Sequence, residues 1–376
     1  MSYIGRCQLS GYKSIKNVSC EFNKGLNVII GTNGSGKTNL LEFIYKVLKR
    51  DYSRLDLFDA NILINSKSET IRWHTEGIIP VNILSEPGIQ RIEINEPEKS
   101  IEVYLEFIKF SLPKEIPVLA TEYNPKFSFT EKRLLINGDR ENMPFVIGYW
   151  LPVLFTSSPF KSIKKTDELT DDLVYHTLVD RFESSFGDIR KVLSIYTPVE
   201  DVRFSNAVRV TRIDATTFEI RNIVFEYKVK NQWFAWKALS DGTRRLVYTI
   251  FSIYGLIVDD SKTETNKGIV ELPIAFIEEP ELGIHPHQLH LLMTLLKERA
   301  EKQQIIITTH SPQVLDVLGI DELDQILITE IDSENITTIR KLTEKETEKA
   351  KMYLRDEGML SDYWRFSDLQ ESKQSK

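Results

Sequence analysis

The sequence predicts an α/β protein with a mostly parallel sheet, an antiparallel β lobe and an inserted subdomain of strands and helix. Three observations predict it. Apolar strand-length runs alternate with helix-length segments at both ends of the chain, short alternating runs broken by Pro, Asn and Gly fill the middle, and a glycine-rich loop joins the first apolar run to an amphipathic segment. At 376 residues the chain is long enough for two to three compact units. Its 41% hydrophobic and 27% charged residues exclude a disordered, collagen-like or disulfide-stapled chain. The 48 basic and 55 acidic residues leave a net charge of −7, which excludes a polycation that coats nucleic acid along its whole length but leaves a local basic groove open. No leader-like apolar segment and no apolar stretch of 18 residues occurs, so the reading is a cytoplasmic protein with no membrane partner. Cys7 and Cys20, without metal-ligand spacing, read as reduced thiols.

Taken in order, Leu26 to Ile30 (LNVII) is a β-branched run ending at Gly31, followed by the helical pattern NLLEFIYKVLKR. Between about residues 70 and 150, WHTEGIIPVNIL, IQRIEI, IEVYLEFIKF and EKRLLING read as strands of an antiparallel insert. Residues 166 to 196 carry helical spacing at Leu173, Leu178, Val179, Phe182, Phe186, Ile189 and Val192, with Thr166, Glu168 and Asp171 as an acidic start. NAVRVTRI and TTFEIRNIVFEYKV then read as a hairpin through Asp214-Ala215. The last third alternates again: a helix near 243–258, strand IAFIEE, a helix from Pro286, strand IIITT, a helix near PQVLDVL, strand DQILIT and a polar helix. The expected division is a split head of residues 1–60 and 235–376 around an insert of 61–234.

Gly31-Thr32-Asn33-Gly34-Ser35-Gly36-Lys37-Thr38 fits GxxxxGK[ST], the phosphate-binding loop. Glycines let successive backbone N–H groups converge on phosphate oxygens, Lys37 reaches the β- and γ-phosphates, and the Thr38 hydroxyl ligates Mg²⁺ at a helix N-terminus. The expected nucleotide contacts are Gly31, Asn33, Gly34, Ser35, Gly36, Lys37, Thr38 and the adjoining Asn39, with ATP and Mg²⁺ as cofactors.

Three downstream segments appear in order: Leu239-Ser240-Asp241-Gly242-Thr243, IAFIEEPELGIHP and IIITTHSP. Together with the opening GYKSIKNVSCEFNKGLNVIIGTNGSGKTNLLE they resemble the ABC-type ATPases, in the RecF, SMC and OLD-like branch. The resemblance covers roughly residues 1–50 and 235–330 and implies an ABC-type P-loop head. It implies that Glu278 holds the metal with Thr38, that Glu279 orients and deprotonates the attacking water, and that His310 is the switch histidine at the γ-phosphate. Glu278 stands where these proteins usually carry Asp, one methylene shorter. LSDGT resembles the signature LSGGQ, with Asp241 and Thr243 as departures; its Ser240 and Gly242 would complete the ATP of a second subunit. The resemblance thus implies a head-to-tail homodimer, or a higher homo-oligomer, closed by ATP.

No coiled coil separates loop and signature as in SMC proteins, and the residues after His310 are too few for the TOPRIM domain of OLD nucleases. The expectation is an ATPase subunit that controls a separate, nuclease-like effector, as in bacterial anti-phage modules. A RecF-like repair factor binding DNA in a local groove, and a hydrolysis-poor dimerisation switch, are the alternatives. Two features read as decoys. His285, His287 and His290 lie near Glu281, but Pro286 suits a helical first turn and no HExxH is present. FKSIKK at 160–165, with Phe145, Tyr149, Trp150 and Phe155 upstream, is followed at once by DELTDD and reads as mixed surface. No Gln of the insert is assigned to the Q-loop role; nothing in the sequence supports Gln90 for it.

Overall fold

The computed structural model describes residues 1–52, 55, 57–66, 70–78, 91–95, 101–109, 126–130, 133–137, 170–214, 217–221, 225–255, 270–356 and 358–366. FKSIKK, its upstream aromatics and Gln90 lie outside them. The chain divides into two compact units, Met1–Phe110 with Leu256–Lys376, and Ser111–Gly255.

In the first unit, β1 (Tyr3–Ser10), β2 (Val18–Glu21) and β3 (Leu26–Gly31) lead into α1 (Lys37–Lys49). There follow β4 (Leu57–Asn65), β5 (Thr70–Ile78), β6 (Arg91–Asn95) and β7 (Ile101–Lys109). The second unit holds β8 (Lys126–Thr130), β9 (Arg133–Asn137), α2 (Asp171–Tyr196), β10 (Asp201–Phe204), β11 (Arg209–Arg212), β12 (Thr217–Arg221), β13 (Phe225–Val229), β14 (Gln232–Ala235) and α3 (Asp241–Gly255). The chain returns to the first unit with β15 (Val270–Glu278), α4 (Pro286–Arg299), β16 (Gln304–Thr309), β17 (Ile326–Ile331), β18 (Thr337–Lys341), α5 (Glu344–Arg355) and α6 (Leu360–Phe366).

A six-stranded sheet, in the order β18-β17-β3-β16-β15-β7, is parallel except at β17/β18. Every residue of β3 is buried, as a central strand covered on both faces must be. An antiparallel sheet, β2-β1-β4-β5-β6, forms the lobe. The α1 side chains Leu40, Phe43, Ile44 and Val47 share one core with Leu9, Ile62 and Trp73 of the lobe and with Ile29, Phe276 and Ile306 of the parallel sheet. Burying that helix between the two sheets fixes the loop at its N-terminus. Gln304 stitches the sheets together: its Oε1 accepts from Ile4 N–H and its Nε2 donates to the carbonyls of Ile4 and Asn23, each at 2.9 Å. Gln304→Leu would leave these groups unpaired. We expect it to cost about 2–4 kcal/mol in urea unfolding, and a loss under about 1 kcal/mol would refute the stitch.

Several local expectations change. IEVYLEFIK does not join an antiparallel insert; β7 pairs in parallel with β15, from Ile101↔Val270 to Lys109↔Glu278. It is the terminal strand in that sheet's order, and its partner lies some 170 residues away in the sequence, where local pattern cannot point. TTFEIRNIVFEYKV is two strands in different sheets, β12 beside β11 and β8, and β13 between β10 and β14. The long helix begins after Thr170, whose hydroxyl caps Leu173 N–H, with Asp171 and Asp172 in the first turn. PQVLDV is a 3₁₀ segment. The compact units divide at 110 and 255 where the sequence reading placed boundaries at 60 and 235. Strands β4 to β7 stay with the N-terminal unit through their pairing, and α3 groups with α2, where Phe186 meets Phe251 at 5.5 Å. Among the described residues no helix is long and apolar enough to cross a membrane.

Candidate nucleotide site

The loop leaves the C-terminal end of β3, the edge of a parallel sheet where ligands collect. Gly34 and Gly36 take φ of 81° and 91°, in the left-handed region that glycine adopts without strain. Gly36 also caps α1, and a Cβ there would stand 1.9 Å from Thr337 Oγ1. The buried Ser35 hydroxyl bonds Thr329 Oγ1 at 2.8 Å, and its N–H donates to Thr32 O at 3.2 Å. Ser35 therefore pins the loop to β17. Asn39, expected to face the nucleotide, donates instead to Ser14 Oγ at 2.8 Å, and Thr337 Oγ1 reaches the same oxygen at 2.7 Å. Among the described residues the Asn33 side chain has no hydrogen-bond partner in the loop.

Lys37 lies across the loop, donating to the carbonyls of Gly31 and Thr32 at 2.8 Å each. Burial lowers its pKa, while the nearby carboxylates of Glu279, Glu281 and Glu278 pull it up. Thr38 Oγ1 donates to Glu278 Oε1 at the end of β15. This pair joins the loop to the neighbouring acid and offers only oxygen donors, the set that suits a hard divalent cation such as Mg²⁺. The residues thus fit the metal the sequence implied.

Glu279 follows with φ of 48°, uncommon for a side chain larger than glycine, and its N–H continues the ladder to Thr308 O at 2.7 Å. His310 leaves the end of β16, and its Nδ1 stands 3.3 Å from Glu279 Oε1 and 3.4 Å from Glu281 Oε1. Glu281 also accepts from Thr309 Oγ1 at 2.6 Å and from His310 N–H at 3.3 Å. Its part in this cluster was missed at the level of sequence; only its place two residues after Glu279 could have pointed to it. Parallel pairing of Glu278 with Thr308 puts the acids and His310 on adjacent strand ends beside the loop.

His285 caps α4 by accepting from His287 N–H, with Pro286 in the first turn. Among the described residues the three histidines form no metal-ligand group. In the second unit, Ser240 is exposed and accepts from Thr243 N–H at 3.2 Å, while Asp241 pairs with Arg244 and Arg245 at 3.3 and 3.0 Å. LSDGT is thus a helix N-cap whose Ser240 and Gly242 stand at the positive end of α3.

Residues 26–316 match the family model described as "AAA domain, putative AbiEii toxin, Type IV TA system". The chain belongs to this AAA family. Septu protein PtuA of Bacillus thuringiensis is 24% identical over 349 residues, 88% of this chain and 77% of that protein. The DNA replication and repair protein RecF of Clostridium acetobutylicum is 32% identical over 93 residues, 24% of this chain and 23% of RecF. The Smc head domain derived from Pyrococcus furiosus, solved with an extended coiled coil bound to the C-terminal domain of ScpA, has a TM-score of 0.53 at 15% identity, covering 94% of this chain and all of that one. The AAA chain is thereby an ABC-type ATPase of the RecF/SMC/OLD-like branch, and its fold is that of an SMC-type head.

Proposed function

We propose that this AAA-family chain binds and hydrolyses ATP, dimerises head-to-tail around two ATP·Mg²⁺, and acts as a switch on a separate effector protein in bacterial anti-phage defence. The observation that carries the ATPase reading is the convergence of Lys37, the Thr38–Glu278 pair and the Glu279–His310 pair on one edge of the parallel sheet. In this reading, loop N–H groups and Lys37 hold the phosphates, and Thr38 and Glu278 hold Mg²⁺. The metal supplies charge neutralisation for the phosphoryl oxygens. Glu279 orients a water and takes its proton, and His310 contacts the terminal phosphate. Ser240 and Gly242 of a second copy close the site, so loss of that phosphate opens the dimer. The defence role leans on the likeness to the Septu protein, which spans most of both chains.

Phosphate release with ATP and Mg²⁺ is expected to vanish with EDTA, and ATP is expected to shift the sedimenting species from monomer to dimer. Ser240→Arg should abolish both the dimer and turnover while ATP binding persists. Turnover by a species that stays monomeric would overturn the dimer. A second reading, ATP-dependent binding of duplex DNA, is favoured by the RecF match; it expects DNA affinity that appears with ATP and falls steeply with salt.

A further inference from the structure

Glu281 has no part in that scheme, yet its side chain is 9% exposed and sits among charged groups. Its Oε1 takes hydrogen bonds from Thr309 Oγ1 and from His310 N–H, and lies 3.4 Å from His310 Nδ1. Its Oε2 is buried without a hydrogen-bond partner among the described residues. A buried carboxylate oxygen left so is costly and calls for a cause. Burial raises the Glu281 pKa, and the bonds from Thr309 and His310 oppose that rise.

His310 Nδ1 therefore faces two acceptors, Glu279 at 3.3 Å and Glu281 at 3.4 Å. One N–H serves one acceptor well at a time. A Glu279 side chain that swings toward a water gives up the imidazole, which it meets through Oε1 alone. Glu281 Oε1 is held independently of Glu279 by the Thr309 hydroxyl and the His310 amide, so it stays in place whichever way Glu279 turns. We propose that Glu281 is a positioning residue: it takes the Nδ1 proton bond of His310 when Glu279 is engaged elsewhere, fixing the ring and leaving Nε2 as the nitrogen presented to the ligand. A carboxylate that assigns the tautomer of a histidine in this way is a general device. The consequence for turnover rests on the ATPase reading; the hydrogen bond does not.

The test is ¹⁵N NMR of the histidine side chains in the full chain without nucleotide, where Nδ1 and Nε2 report which carries the proton. In Glu279→Ala, the His310 Nδ1 is expected to keep its proton. In Glu279→Ala/Glu281→Ala it should lose it, as the ring relaxes toward Nε2–H. Thr309→Val in the Glu279→Ala background, which removes the 2.6 Å bond to Glu281 with little change of volume, should give a partial loss and serves if the double variant does not fold. An Nδ1 proton lost in Glu279→Ala alone, or kept in full in both the double variant and Glu279→Ala/Thr309→Val, overturns the proposal. In turnover, Glu281→Ala should lower kcat roughly 10–100-fold with KM for ATP unchanged, and adding it to His310→Ala should cost nothing more. Additive losses would mean that Glu281 only supports packing. Absence of turnover in the unaltered chain would count against the ATPase reading alone, because the tautomer measurement needs none.

Discussion

Lys37→Ala is expected to abolish ATP binding at millimolar nucleotide while leaving the fold intact. The ammonium lies in the field of three carboxylates, Glu278, Glu279 and Glu281, and bridges the carbonyls of Gly31 and Thr32. Removing it leaves a cluster of acids facing a polyanion, so the variant loses an attraction and gains a repulsion. Truncating one partner of a desolvated charge pair costs about 2–5 kcal/mol, roughly 30- to several-thousand-fold in Kd. The fold should survive because the α1 core residues Leu40, Phe43, Ile44 and Val47 are untouched. Titration with a fluorescent ATP analogue, beside a circular dichroism melt, checks both halves. An affinity within threefold of the unaltered chain would refute the phosphate-binding assignment of the loop.

The loop was legible because its chemistry is local: a buried strand, glycines at two positive-φ positions, a lysine and a hydroxyl within eight residues. The acids and His310 were legible for a related reason, since each follows an apolar strand whose carboxyl end must lie at the same sheet edge. Contacts made at a distance were not legible. Nothing in GTNGSGKTN says that Ser35 will bond Thr329 or that Asn39 will turn to Ser14, because both partners are chosen by strand order. β7 escaped for the same reason, as did the grouping of α3 with α2 through Phe186 and Phe251. The cap at Ser240 shows a further limit. A serine before a helix satisfies Thr243 N–H whatever else it does, so the local signal for a cap and for a signature motif is the same. The Glu281 cluster lay between the two kinds: its position was visible, but its partners Thr309 and His310 come from the next strand.

Glu279→Gln is expected to stop hydrolysis while keeping ATP bound and the dimer closed. The substitution preserves the side chain's length and leaves an oxygen that accepts from His310 Nδ1, so the contact now at 3.3 Å survives. What it removes is the proposed base. Loss of general-base catalysis costs roughly 10²–10⁴-fold in kcat. Binding should not suffer, because one negative charge is withdrawn from the three around Lys37, and ATP affinity is expected to rise a few-fold. The backbone adds a control. Glu279 sits at φ 48°, which costs any side chain beyond glycine about 1–2 kcal/mol, so Glu279→Gly should stabilise the turn locally while also abolishing turnover. A turn that merely needed its shape would tolerate glycine and keep its activity; a catalytic carboxylate would not. Sedimentation with ATP should find the Glu279→Gln dimer persisting for hours where the unaltered chain returns to monomer as ATP is consumed. Undiminished steady-state phosphate release in Glu279→Gln would remove Glu279 from the mechanism and move the base to Glu281, the only other carboxylate among the described residues that reaches His310.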